Sequence, residues 1–89
     1  MIADFAAIST IKEYKELVAE KVKDIDIAML FLNAGIIFEK YFVSHTPEQI
    51  QAEVGVNALQ PIYMTKVLLD QILSRDHLSA LVVTSSGLA

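Results

Sequence analysis

Asp26-Ile-Ala-Met-Leu-Phe-Leu-Asn-Ala-Gly35 is the stretch that decides the fold. After Asp26 it is apolar without a break to Leu32, with no alternation of polar and apolar residues. A strand with one wet face alternates. A strand covered on both faces by helices does not, and such strands are typical of parallel sheets. Asn33-Ala34-Gly35 then ends the run. Gly and Ala let backbone and ligand approach closely, and an Asn side chain can bridge neighbouring strands. The same tripeptide also reads as an ordinary strand-ending turn.

Upstream, Thr10 through about Lys23 reads as a helix. Thr10 and Glu13 form a capping box, which satisfies two backbone donors that a helix start leaves unpaired. Ile11, Tyr14, Leu17, Val18 and Val22 follow at helical spacing. Lys21 and Lys23 sit near the end, where a cation suits the helix dipole. Before this helix, Met1 to Phe5 reads as a strand remnant ending at Asp4.

Downstream, Ile36 to Ser44 reads as a loop or a short irregular element. Thr46-Pro47-Glu48-Gln49 is a strong helix start, with a capping hydroxyl, a proline at the first helical position and a Gln at the third. This helix should run to about Ser74. Pro61 interrupts it, because proline cannot donate to the carbonyl four residues back, which belongs to Asn57. A kink is expected there, with the Asn57 carbonyl needing another partner, commonly water. Ser79 to Ser85, centred on Leu81-Val82-Val83, reads as a second buried-type strand, and Ser86-Gly87 as the turn after it.

The resulting order, β-α-β-α-β, predicts an α/β layer fold with right-handed crossovers. In that class ligands sit beyond the carboxyl ends of the strands. Asp4, Asn33 and Ser86 all fall at such ends, so one shared site is expected.

Composition narrows the function. The chain has 89 residues, of which 54% are hydrophobic. Its mean hydropathy is +0.47. That is rich for so small a body, and it predicts apolar faces that another segment or another copy must cover. The formal net charge is −4 with no basic stripe, which argues against nucleic-acid binding. Cysteine is absent, and His45 and His77 lack ligand-like spacing, so no metal site is expected. The run from Ile27 to Phe38 is too short to span a bilayer. No secretory signal is recognisable, so no membrane role is indicated and the compartment is unknown, with the cytoplasm as default.

Taken together, Asn33-Ala34-Gly35, Asn57 and Ser85-Ser86 resemble the central part of a short-chain dehydrogenase/reductase. The family pattern usually reads Asn-Asn-Ala-Gly; here Leu32 stands in the first Asn position. The resemblance implies a single partial Rossmann-like domain over residues 1–89, with an incomplete three-layer parallel sheet completed or rearranged by oligomerisation. It implies hydride transfer between a nicotinamide cofactor, NAD(P), and a carbonyl or secondary alcohol. The Ala3-Asp4-Phe5 wording resembles the branch of 17-beta-hydroxysteroid dehydrogenases and long-chain 3-ketoacyl-CoA reductases, which points to steroid or 3-oxoacyl substrates.

The same resemblance assigns roles. Ser86, with Ser85 as the adjacent alternative, would polarise the substrate oxygen. Asn57 would hold a relay water on its backbone carbonyl. Asn33, Ala34 and Gly35 would contact the cofactor, and Asp4 would accept from its adenine amine. A solvated or capping carboxylate is the equal alternative for Asp4. Two parts of the family pattern are missing: the glycine-rich phosphate loop and the Tyr-x-x-x-Lys pair. Tyr63 and Lys66 are three apart rather than four and precede the serine, so they read as surface or interface residues, and His45 as a loop residue. The chain alone is therefore expected to be inactive and not to bind the cofactor. The competing reading is a non-catalytic association module that pairs through its long helix with itself or with a full-length relative.

Overall fold

The computed structural model describes residues 3–86. They form two helical rods and one two-stranded parallel sheet. The first rod comprises α1 (Ile11–Tyr14), a π-helical turn (Lys15–Ala19) and α2 (Glu20–Val22). Strand β1 is Met29–Leu32. A 3-10 turn at Phe42–Ser44 leads to the second rod, made of α3 (Pro47–Val54), a π-helical turn (Gly55–Leu59) and α4 (Gln60–Leu73). Strand β2 is Ala80–Val83.

Both rods start where the capping chemistry puts them. The Thr10 hydroxyl accepts from the Glu13 amide at 3.2 Å, and Glu13 accepts from the Thr10 amide at 3.2 Å. Thr46 and Gln49 repeat the exchange at 3.1 and 3.0 Å. Proline at the first helical position of α3 costs nothing, since its missing donor would have had no partner there.

In the second rod, the departure from α geometry falls four residues before the proline. Gln60 donates its amide to Gly55, one residue further back than in an α-helix. Such a bulge is one way a helix accommodates a residue that cannot donate. It contains Asn57.

The core lies between the two rods. Tyr14 and Val18 of the first pack with Leu68 and Ile72 of the second, and Ile8 closes one end. Tyr14 is stacked on Phe5 at 5.9 Å and meets Tyr63 edge-on at 5.5 Å. Tyr63 thus packs on the core, where a surface or interface position was expected, while Lys66 is exposed.

The three-layer, partial Rossmann-like β-α-β-α-β sheet is not what forms. The sheet has two strands, β1 and β2, paired in parallel from Met29 opposite Ala80 to Leu32 opposite Val83. The expected first strand is absent among the described residues. Asp4 instead closes a tight turn on itself: its Oδ1 accepts from Ala6 at 3.0 Å and its carbonyl from Ala7 at 3.0 Å. A short carboxylate that satisfies its own backbone competes directly with strand pairing. Phe5 then packs on Tyr14 instead of joining the sheet. Met1 and Ile2 lie outside the described residues.

Nor is β1 covered on both faces. Leu30 packs against the core and Leu32 is buried, whereas Met29 and Phe31 remain 52% and 60% exposed. An unbroken apolar run in sequence meant two covered faces; here one of them faces solvent.

Candidate functional site

The register of the sheet decides where the candidate residues meet. Leu32 pairs with Val83, and the Thr84 amide donates to the Leu32 carbonyl at 3.0 Å. Asn33 and residues 84–86 therefore leave the sheet side by side at its carboxyl end. An open cleft of about 690 Å³ lies there. Residues 33–37 form one wall and residues 83–86 another, with Glu53 and Asn57 of the second rod between them.

Of the six residues singled out by sequence, the cleft brings together Asn33, Ala34, Gly35, Asn57 and Ser86. Ser85 lines it as well. Asp4 is not part of it. Its carboxylate is engaged in its own turn, the capping alternative of the sequence reading.

Asn57 does more than line the cleft. Its Oδ1 accepts from the Ile36 amide at 2.9 Å and its Nδ2 donates to the Ile36 carbonyl at 2.7 Å. One side chain thus replaces the strand partner that the backbone at Ile36 has lost. Gly35 approaches it closely. A Cβ there would lie 3.3 Å from Asn57 Oδ1, tighter than ordinary contact. The glycine serves close approach, not a turn, since no described glycine has a positive φ.

Two further side chains fix this wall, and neither was singled out as functional from sequence. Glu53 Oε1 accepts from the Phe38 amide at 2.9 Å. His45 Nε2 lies 3.0 Å from the Phe38 carbonyl and, when it carries a proton, donates to it. Glu53 stands four residues before Asn57, so both project from one helix face. That spacing was the available signal. For His45 only its neighbourhood to the helix start hinted at a role.

The electrostatics of the cleft are simple. Glu53 is the single charged side chain lining it among the described residues. The remaining polar groups are amides and hydroxyls. They suit a carboxamide or the hydroxyls of a sugar. Among the described residues, no Lys or Arg lines the cleft to hold a phosphate and no tyrosine lines it to supply a proton.

A second cleft, of about 420 Å³, lies at the opposite, amino end of the strands. There Gln71 Nε2 donates to the carbonyls of Val22 at 2.8 Å and Ile25 at 2.7 Å, capping the end of the first rod. Arg75 Nε lies 3.2 Å from Asp26 Oδ1. This cation sits where both rods end and their dipoles are negative. The arrangement ties the rods together.

Among the described residues, no group of His, Cys, Asp and Glu is assembled that could hold a metal ion, and no helix is long and apolar enough to cross a membrane. Neither a family model, nor a curated protein, nor a solved structure matches this chain.

Proposed function

We propose that the cleft is the nicotinamide side of a redox site of short-chain dehydrogenase/reductase type. The observation that carries the reading is the convergence of Asn33, Gly35, Asn57 and Ser86 on one cleft at the carboxyl ends of two parallel strands. Parallel α/β layers use that end for ligands.

The residues fit one half of the cofactor. Amides and hydroxyls around the cleft can hold a carboxamide and a ribose; among the described residues no cation lines it to hold a pyrophosphate. When bound, the nicotinamide would supply a hydride acceptor or donor. In this reading the Ser86 hydroxyl donates to the oxygen of a carbonyl substrate and polarises it. Asn57 acts through the backbone: its side chain is committed to Ile36, which keeps the wall in place, and Pro61 leaves its carbonyl without the usual helical donor. Among the described residues no tyrosine lines the cleft to serve as proton donor. Carbonyl substrates of steroid or 3-oxoacyl type remain the expected class.

Amide NMR titration with oxidised nicotinamide riboside tests the reading. Weak binding in the millimolar range, shifting residues around the cleft, is expected, because half of the cofactor supplies only part of its affinity. No shift at millimolar concentration overturns it.

A second reading has its own observation. Ile50, Val54, Ile62, Leu69 and Leu73 are all exposed along the second rod, at spacings of four, eight, seven and four residues. Such a stripe suits helix pairing, so an association module built on the long helix follows. Sedimentation at micromolar concentration decides it: a dimer supports the stripe, a monomer removes it.

A further inference from the structure

We propose that Glu53 sets the charge selectivity of the cleft, admitting cationic or uncharged ligands and rejecting phosphate-bearing ones, so that oxidised nicotinamide riboside is the fragment it takes best. The inference rests on the function proposed above and deepens it.

The charge layout carries the argument. Glu53 is the sole charged group lining the cleft among the described residues. Only one of its oxygens is engaged by Phe38, so the carboxylate retains acceptor capacity on the other. The side chain is half-buried, where a charge is screened less than at the open surface. Lys23 and Arg75 line the second cleft at the far end of the strands. The chain as a whole is acidic, with a formal net charge of −4.

A phosphate entering the cleft would therefore meet a carboxylate and no counter-charge. A pyridinium ring would meet an opposite charge. Its reduced form, the dihydropyridine, is neutral and would gain nothing from Glu53. Three probes separate these cases: oxidised nicotinamide riboside, reduced nicotinamide riboside, which loses one positive charge, and oxidised nicotinamide mononucleotide, which adds a phosphate of nearly two negative charges.

The test is amide NMR titration of the whole chain with each probe. The oxidised riboside is expected to bind about tenfold more tightly than either of the other two, the scale of one modest charge interaction. Glu53→Gln keeps an acceptor for the Phe38 amide and removes the charge. In that variant both ratios should fall toward one. In the unaltered chain both ratios should also shrink as salt rises, which keeps the test independent of how the variant folds. A mononucleotide that binds as well as the riboside overturns the inference and leaves the proposed function standing. Ratios that ignore Glu53→Gln and salt do the same. If none of the three probes binds, both fall.

Discussion

The side chain of Asn57 takes both backbone groups of Ile36, accepting from its amide at 2.9 Å and donating to its carbonyl at 2.7 Å. This pairing joins the second rod to the segment that leaves β1, and it shapes one wall of the cleft. Both bonds are reachable by water, so each contributes about 1 kcal/mol rather than the larger value of a buried pair. Asn57→Ala should cost about 1–2 kcal/mol in urea unfolding. The Ile36 amide should also lose its protection from hydrogen exchange. Asn57→Asp, which keeps the acceptor and loses the donor, should fall between the two.

Gly35 is coupled to the same side chain. A methyl group at Gly35 would press on Asn57 Oδ1 at 3.3 Å. Gly35→Ala should therefore weaken the Asn57 clamp and destabilise by about 0.5–1 kcal/mol, part of the cost of losing one hydrogen bond. In the Asn57→Ala background the same substitution should cost nothing or add stability, since alanine lowers the entropy of the unfolded chain. A double-mutant cycle measures this coupling. Strict additivity would contradict it.

Tyr14 is fully buried between Phe5 and Tyr63, and its hydroxyl has no hydrogen-bond partner among the described residues. Removing an unpaired buried hydroxyl relieves its desolvation. Tyr14→Phe should be neutral or stabilising, by up to about 1–2 kcal/mol, with the ring contacts kept. Burial first, and then the neighbouring Tyr63 and Glu13, push the Tyr14 hydroxyl above its ordinary value. A raised value in the folded state favours folding below the unfolded value and loses that contribution as pH rises through the folded one. The wild type should therefore lose stability at alkaline pH, and Tyr14→Phe should flatten that limb.

Glu13 governs the acid side. Hydrogen bonds from the Ser9 amide, the Thr10 hydroxyl and the Thr10 amide hold its carboxyl below the ordinary carboxylate range. A depressed value in the folded state contributes stability above the unfolded value, lost as pH falls through the folded one. Helix content of the first rod should decline in that window. Glu13→Gln should remove the acid dependence while partly keeping the cap.

The local elements were legible because their signals are local. Thr10 with Glu13 and Thr46 with Gln49 mark helix starts through chemistry within four residues, and Pro61 marks the irregular turn around Asn57. The meeting of Asn33 with Ser86 was legible through the strand ends. The number of strands was not, because pairing depends on what each edge finds in three dimensions. Asp4 satisfied its own backbone and Phe5 found Tyr14, so no third strand formed among the described residues. The uncovered face of β1 was equally hidden, since Met29 and Phe31 read as buried in sequence. Glu53 and His45 were not read as functional because each acts on the backbone of Phe38, a partner distant in sequence that only the fold brings near.

The central claim is that one cleft at the carboxyl ends of β1 and β2 binds a nicotinamide fragment. Its most direct test is residue-resolved amide NMR with oxidised nicotinamide riboside at millimolar concentration. The account predicts shifts confined to residues 33–38, 53–57 and 84–86. Shifts absent from those residues, or gathered instead around Gln71 and Arg75 at the other end of the sheet, would contradict it.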